Sequence, residues 1–301
     1  MASIDRLEYK DDYVQSANSL FHFMNKEKFL TDAIDRGALI PRYCKENIEY
    51  MNLKDTKDKT VKEMVVLQKC FCDVPFHKIN EKFPVDIVND VTEETKKKVL
   101  DEGFNTHTKF YGEYGIAFSK KWCYENGFQP VLYVNEKSEY LMQLKRLYVH
   151  IMSKDDDVDI EFIEDLLRQF AYLKPLNGIM SRPCDGANVD FRKNFHDEKE
   201  WRFIPTDDSL KKCLVDKISF KQAVIENYIN ISNNLEAPSY EQLWLKFTYD
   251  DVKYIIVPHR TSREHIIKYI LNMPKEKFSD EFERMMLISK IQVLEDIGKD
   301  W

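Results

Sequence analysis

Hydrophobic residues follow two patterns along the chain. Short continuous apolar runs predict strands, and apolar residues three and four apart predict helices. The apolar run over residues 19–23 predicts a strand, and apolar residues three and four apart over residues 26–36 predict a helix. Gly37 follows where a helix commonly ends on a glycine, and residues 38–42 are predicted to leave it in an extended conformation. The chain therefore opens with a strand, a helix and an extended segment.

The same two spacings predict the remaining elements. Strands are predicted at residues 65–74, 110–119 (a turn that leads into a strand), 130–134, 200–205 and 254–258. Helices are predicted at residues 92–101, 120–126, 141–151, 160–170, 262–273 and 279–297. Residues 174–196 show neither spacing and are predicted to be irregular. Strands and helices in this order, without regular βαβ alternation, indicate an α+β fold.

Three segments follow from this order of elements. Residues 1–17 are polar and form an N-terminal arm, and residues 18–210 form a core of short strands with surrounding helices. Residues 211–301 form a mixed α/β region with a helical C-terminal extension, which we expect to pack on the core.

Composition excludes several classes of protein. The chain has 301 residues and a formal net charge of −7, which argues against a broadly basic nucleic-acid coat but allows a local basic groove. Only 8 glycines occur, and no glycine-rich phosphate-binding motif is present. Because aromatic residues are plentiful, any ligand is expected to be bound by side chains rather than by bare backbone.

The sequence gives no sign of a metal site, a disulfide framework or a membrane segment. The 6 cysteines are scattered, with one C-x-C and no C-x-x-C, and the zinc signature H-E-x-x-H is absent. No run of about 18 apolar residues occurs, and the N-terminus lacks the apolar stretch of a signal peptide. We therefore expect a cytoplasmic protein with no metal and no membrane partner.

Three polar residues interrupt or border apolar strands, where charge is uncommon unless it is exposed, paired or functional. They are His22, Arg42 and Glu200. Each also has a plain structural explanation; Glu200, for example, could pair with Arg202 or Arg192. No G-x-S-x-G motif or recognisable nucleophilic triad accompanies them.

Four strings resemble the AbiGi family of bacterial abortive-infection proteins. They are SLFHFMNKEKFLTDAIDRGALIPRYC, CFCDVPFHKI, FYGEYGIAFSKKWCYENGFQPVLYVNE and FHDEKEWRFIP, and together they span roughly residues 18–206. The resemblance implies a role in phage defence, with a cognate toxin or antitoxin as the partner protein. The family name carries the label "antitoxin".

The opening pattern more distantly resembles the ADP-ribosyltransferases of the DarT type. That resemblance implies an ADP-ribosyltransferase-like core and NAD as the substrate. His22 or Arg42 would hold the pyrophosphate or the adenosine ribose. Tyr111 or Tyr114 would stack on nicotinamide, and Ser119 would support the strand. Glu200 would bind the ribose 2′-hydroxyl and stabilise the positive charge that develops as nicotinamide leaves; with Arg42 and His22 it completes the implied catalytic set.

These resemblances leave three functional hypotheses open. The first is an NAD-dependent ADP-ribosyltransferase toxin that modifies a macromolecule, with RNA or single-stranded DNA as one acceptor class. Its groove would use basic and aromatic residues: Lys120, Lys121, Trp122, Arg182, Arg192 and Lys193. A solvated surface is the simpler explanation of the basic ones. The second is a non-catalytic antitoxin that binds its partner through an apolar patch such as Met285–Leu287. The third is another nucleotide-acting enzyme, such as a nuclease or an NAD glycohydrolase.

Overall fold

The computed structural model describes residues 16–54, 58–152, 160–184 and 186–300, so most of the predicted N-terminal arm lies outside the described residues. Within them the strands are β1 (Ser19–Met24), β2 (Ala38–Leu39), β3 (Arg42–Asn47), β4 (Glu63–Cys72), β5 (Asp86–Ile87), β6 (Tyr114–Ser119), β7 (Gln129–Pro130), β8 (Leu132–Val134), β9 (Leu173–Pro175), β10 (Asn177–Cys184), β11 (Ala187–Asn194), β12 (Glu200–Phe203), β13 (Ile218–Ser219), β14 (Leu245–Lys246), β15 (Val252–Val257) and β16 (Ile291–Val293).

The helices of the described residues are α1 (Glu27–Arg36), α2 (Glu93–Asp101), α3 (His107–Tyr111), α4 (Lys120–Glu125), α5 (Glu139–Met152), α6 (Ile160–Gln169), α7 (Asp207–Cys213), α8 (Gln222–Asn234), α9 (Arg260–Asn272), α10 (Glu281–Ser289) and α11 (Leu294–Asp300). Short 3-10 helices occur at Glu49–Met51, Phe76–Lys78, Phe170–Tyr172, Phe195–Glu198, Pro238–Leu243 and Lys275–Lys277. The predicted mixture of strands and helices is confirmed.

A large mixed sheet organises the molecule. Its strands follow the order β16-β15-β6-β1-β4-β12-β7, and β3 and β13 also pair with β4. All these pairings are antiparallel except β15 with β16. A second sheet has the order β10-β11-β5, and β14 with β2 and β8 with β9 form two-stranded pairs.

Strand β4 has different neighbours at its two ends. Strand β3 pairs with its first six residues and ends at the Arg42–Gln68 pair. Strand β1 joins β4 only at the Phe21–Cys72 pair. Residues 69–71 therefore have no backbone partner from either β1 or β3, and the two strands diverge there.

The main hydrophobic core packs α1, α9 and α10 against one face of the large sheet. Its members come from both ends of the chain and include Leu20, Phe118, Ile255 and Ile266, each fully buried. Helix α1 ends as predicted: Gly37 has φ 61°, and its N–H donates to the carbonyls of the preceding turn. This left-handed conformation suits glycine, which has no Cβ to clash with the backbone.

The C-terminal region differs from its prediction. The helix predicted over residues 279–297 is not continuous: it consists of α10 and α11 with strand β16 between them. Ile291 and Val293 are buried on a strand that runs parallel to β15, and Gln292 between them is only partly buried. Because β15 in turn pairs with β6, residues 252–293 supply two strands of the large sheet.

Residues 174–196 are also more ordered than predicted. They include β9 and a hairpin of β10 and β11 with eight paired positions, from Asn177–Asn194 to Cys184–Ala187. Strand β10 exposes or half-exposes all its residues except Cys184, so it carries little hydrophobic pattern. The prediction of an irregular segment is therefore wrong, because the hairpin is held by backbone pairing and by few apolar side chains.

No helix among the described residues is long and apolar enough to cross a membrane. The six cysteines are all described, and all are free thiols. Within the described ranges, no group of three or more His, Cys, Asp or Glu residues is placed to hold a metal ion.

Candidate functional site

A cleft of about 1140 Å³ opens where β1 and β3 diverge on β4. We call it the main cleft. Its walls come from β1, β3 and β4, from β10 of the hairpin, and from the start of β12. Of the residues predicted to carry function, His22, Tyr111, Arg182 and Glu200 line this cleft. Residues far apart in sequence therefore border one cleft.

His22 lies at the point of divergence. Its Nδ1 is 2.8 Å from the backbone oxygen of Cys70, one of the β4 residues without a backbone partner from β1 or β3. Burial, together with the nearby Lys69 charge, holds the pKa of His22 well below 6.5. The ring is therefore neutral at pH 7, with the proton on Nδ1 donated to Cys70 and Nε2 left as an acceptor.

Glu200 is a buried carboxylate held by two cations. Arg202 Nε lies 2.8 Å from Oε1 of Glu200, and Lys174 Nζ lies 2.8 Å from Oε2. Burial alone would raise the pKa of Glu200, but the charges of Arg202 and Lys174 outweigh it and hold the pKa well below its ordinary value. Glu200 is ionised at neutral pH, and the pairing with Arg202 anticipated from the sequence is confirmed.

Lys174 connects Glu200 to a second buried carboxylate. Its Nζ is also 2.8 Å from Oε2 of Glu198, whose other oxygen accepts the hydroxyl of Tyr111. Lys193 Nζ lies 3.1 Å from that hydroxyl oxygen and 3.8 Å from Glu198 Oε1. Burial would lower the pKa of Lys174, but the two glutamates raise it well above its ordinary value.

The same network continues on the other side of Glu200. Arg202 is fully buried; its Nη2 donates to Glu46 Oε1 at 2.7 Å, and its Nη1 donates to the carbonyl of Ala171 at 2.6 Å. Six charges thus alternate in sign, and four of them (Glu198, Lys174, Glu200 and Glu46) line the cleft. In order they are Lys193, Glu198, Lys174, Glu200, Arg202 and Glu46, which we call the charge chain. Alternation lets each buried charge be offset by its neighbours.

Arg42 lies outside the main cleft, in contrast to its implied place beside His22 and Glu200. Its Nη1 is 2.9 Å from Glu236 Oε1, and its Nη2 donates to Asn233. Arg42 is the first residue of β3, and its guanidinium is bound at the C-terminal end of α8. The structure does not bring Arg42 together with the other two residues.

Tyr114 and Ser119 also lie away from the cleft. The Tyr114 hydroxyl is 3.4 Å from Glu27 Oε2 and from Ser262 Oγ, and its ring packs on the main core. Ser119 accepts the backbone N–H of Trp122 at 3.1 Å and so caps the start of α4. Of the two candidate tyrosines, only Tyr111 borders the cleft.

The residues expected to form a nucleic-acid groove are not gathered on one surface. Lys120 is buried, with its Nζ 2.6 Å from Asp73 Oδ2, and Trp122 stacks on Phe118 at 4.3 Å between ring centroids. Lys121 is exposed on α4, and Arg192 is exposed on β11, 3.5 Å from Asp86. Burial of Lys120 and the core packing of Trp122 remove two members of the expected groove.

Lys174 and Glu198 were not predicted to carry function, and Arg182 was predicted only as a member of the basic groove. Lys174 and Arg182 fall within the segment judged irregular, so no strand pattern showed which face they occupy. Glu198 stands two residues before Glu200 in FHDEKEWRF, and the E-x-E spacing was the available signal. It was ambiguous because several acidic residues crowd the same string.

Comparison with known proteins agrees with the resemblance in sequence. A family model described as "Putative abortive phage resistance protein AbiGi, antitoxin" matches residues 100–258, more than half of the chain. The abortive phage resistance protein AbiGi of Lactococcus lactis subsp. cremoris is 33% identical over 279 residues, covering 88% of this chain and 100% of that protein. The chain belongs to the AbiGi family. No solved structure matches it significantly.

Membership of the AbiGi family places the chain among abortive phage resistance proteins. The matched range contains Tyr111, Lys174, Glu198, Glu200 and Arg202, so much of the main cleft lies inside it. The family description agrees with a toxin as partner protein. Because no solved structure matches the chain, the comparisons do not show the ADP-ribosyltransferase-like core expected from the sequence.

Proposed function

We propose that this chain is a phage-defence enzyme that binds NAD in the main cleft and transfers ADP-ribose to a macromolecular acceptor. The observation that carries the proposal is the meeting of His22, Tyr111 and Glu200 on the walls of one cleft. The cleft volume of about 1140 Å³ suits a ligand larger than most single-ring metabolites.

Glu200 has the properties that the reaction requires of its carboxylate. Positive charge develops on the ribose as the bond from C1′ to nicotinamide breaks, and a fixed negative charge stabilises that state. A carboxylate has about four acceptor positions. Lys174 and Arg202 fill three with Nζ at 2.8 Å, Nε at 2.8 Å and Nη2 at 3.3 Å. The remaining position on Oε1 can accept the ribose 2′-hydroxyl.

His22 and Tyr111 supply the other contacts. The Nε2 of neutral His22 accepts a ribose hydroxyl, while its Nδ1 stays bonded to Cys70. Tyr111, whose hydroxyl is fixed by Glu198, lines the cleft and supplies the aromatic contact to nicotinamide. In the transfer, the electron pair of the glycosidic bond leaves with nicotinamide. The acceptor's nucleophile then bonds to C1′ and loses its proton.

The test combines growth with NAD turnover. Wild type, Glu200→Gln and the control Glu241→Gln are expressed in bacteria and then assayed for release of labelled nicotinamide. Transfer of label to RNA, single-stranded DNA and protein is measured in parallel. Glu241 is an exposed residue paired with Lys246, so its variant makes the same charge change remote from the cleft.

We expect toxicity and turnover in wild type and in the Glu241 variant, and a loss of both in Glu200→Gln. A melting curve checks that Glu200→Gln is folded. If Glu200→Gln does not fold, Glu200→Asp, which keeps the negative charge, is assayed in its place. Equal behaviour of folded Glu200→Gln and wild type, or the absence of NAD turnover in wild type, would overturn the enzymatic proposal.

The family description favours a second candidate, a non-catalytic antitoxin that binds a toxin. Helix α10 offers an apolar face, since Phe282, Met285 and Met286 are 71%, 52% and 40% exposed. If this face binds the toxin, Phe282→Lys abolishes rescue of growth when the neighbouring gene's toxin is co-expressed. The control Ile229→Lys, on exposed α8, should retain rescue, and so should Glu200→Gln.

A further inference from the structure

Arg182 is unusual among the cations of the main cleft. The described cleft wall carries three Lys or Arg side chains: Lys45, Lys174 and Arg182. Lys45 is paired with Glu63 at 3.0 Å, and Lys174 is paired with two glutamates. Arg182 lies within ion-pair distance of no carboxylate of the described residues. Its charge therefore faces the cleft without an anionic partner.

The guanidinium of Arg182 is nevertheless held in place. Its Nε donates to the carbonyl of Phe110 at 3.1 Å, and its Nη1 donates to the carbonyl of Ser181 at 3.0 Å. Its Cζ lies 5.9 Å from the ring centroid of Tyr111, the tyrosine assigned to nicotinamide stacking. Two of the five N–H groups of the guanidinium make these bonds, so three donors remain in a fixed orientation.

The surroundings add to the positive potential. Lys193 lies beside the same tyrosine, and its pKa is lowered to about 8 by burial and by the charges of Lys174 and Arg182, although Glu198 opposes the shift. Burial is the largest cause of this shift, and the two neighbouring cations lower the pKa further. An anion bound beside these cations would relieve the repulsion between them.

Arg182 also fills a role that Arg42 does not. The resemblance assigned the pyrophosphate to His22 or Arg42, but Arg42 is paired with Glu236 outside the cleft, and His22 is neutral. A dinucleotide carries two phosphate charges that require a cation, and the planar fork of arginine matches phosphate oxygens in two-point contact.

We propose that Arg182 anchors a diphosphate-binding subsite at the hairpin side of the main cleft. The diphosphate of a nucleotide accepts hydrogen bonds from the N–H groups of Arg182 that remain free. The ribose and base attached to it extend along the wall that carries Tyr111 and Glu200. This subsite rests on the proposed NAD-binding function, but it makes its own prediction for ligands that contain diphosphate alone.

Binding is measured by calorimetry with ADP, adenosine and inorganic pyrophosphate, on the full chain. The variants are Arg182→Gln, Arg182→Lys and the control Arg146→Gln, which removes an exposed charge paired with Glu139 on α5. We expect Arg182→Gln to weaken ADP and pyrophosphate about 10- to 100-fold, the range for loss of charge-assisted hydrogen bonds. Arg182→Lys should lose part of this affinity. Adenosine binding should not change, and Arg146→Gln should match wild type.

The outcomes separate the two proposals. If wild type binds ADP and Arg182→Gln binds it equally, the subsite is overturned while nucleotide binding stands. If wild type binds pyrophosphate through Arg182 but turns over no NAD, the subsite stands and the enzymatic proposal falls. Failure of wild type to bind any of the three probes overturns the subsite, and the NAD turnover assay decides the enzymatic proposal separately. Melting curves confirm that each variant is folded.

Discussion

The imidazole Nδ1 of His22 lies 2.8 Å from the backbone oxygen of Cys70. Neither β1 nor β3 pairs with β4 at this position. The histidine side chain therefore donates to a β4 carbonyl that has no backbone donor from either strand. This bond satisfies a backbone acceptor at the opening of the sheet, and it fixes the tautomer that His22 presents to the cleft.

Neutral His22 should be visible by NMR. Because burial and the Lys69 charge lower its pKa well below 6.5, we expect its imidazole resonances to stay constant from about pH 8 to pH 5.5. The His22→Gln spectrum identifies the resonances. A titration midpoint near 6.5 would contradict the buried, singly protonated ring described here.

Loss of Lys174 should cost far more stability than loss of a surface lysine. Lys174→Met keeps the apolar stem but leaves Glu198 and Glu200 without the cation they share, and breaking a buried pair costs about 3–5 kcal/mol. The control is Lys246→Met, which breaks an exposed pair with Glu241 and should cost at most about 1 kcal/mol. Urea unfolding measures both, and equal losses would show that the charge chain is not effectively buried.

Acid should destabilise wild type partly through Glu200. Its pKa is lower in the folded protein than in the unfolded chain, so the unfolded state takes up the proton first as the pH falls. The stability contributed by Glu200 is thus fully present above about pH 4.5 and is lost progressively below it. We expect the free energy of unfolding of Glu200→Gln to fall less steeply between about pH 5 and pH 3. Parallel slopes would refute this origin of acid sensitivity.

Gly112, in the motif FYGEYG, should not tolerate a side chain. Its φ is +123°, and a Cβ there would lie 2.1 Å from the carbonyl oxygen of Met24 and 2.7 Å from the nitrogen of Asn25. Because both are backbone atoms, Gly112→Ala should cost at least about 3 kcal/mol or prevent folding. Gly127→Ala is the control, since its φ is +74° but nothing lies within 4 Å; it should cost about 1 kcal/mol. Thermal unfolding of the two variants compares these costs, and similar melting temperatures would be the contrary result.

Much of the fold could be predicted because the spacing of apolar residues along the chain shows which side of a strand or helix is buried. Strand β1, helix α1 and its glycine end, and the strand that begins at Glu200 all follow from local pattern. The β10–β11 hairpin could not be predicted in this way, because backbone pairing holds it while most of its side chains face solvent. Strand β16 is only three residues long and lay hidden in an apolar stretch that also fits a helix.

The site was predictable only in part. His22 and Glu200 could be singled out because a polar residue beside apolar strand residues is uncommon. Their association with Lys174 depends on the pairing of β4 with β1 and β12 and on the position of β9, which no local pattern encodes. Arg42 was singled out by the same criterion as His22, but the direction of its strand takes it to α8 instead.

The place of β15 and β16 in the large sheet has a consequence for how the protein is made. Strand β6, which pairs with β1, receives its other neighbour only when residues 252–257 are available, and β16 follows near the C-terminus. A growing chain that ends near residue 210 would expose the open edge of β6 and invite pairing with other chains. The sheet that contains His22 is thus completed only when synthesis is nearly finished, so a prematurely ended chain should be prone to aggregate.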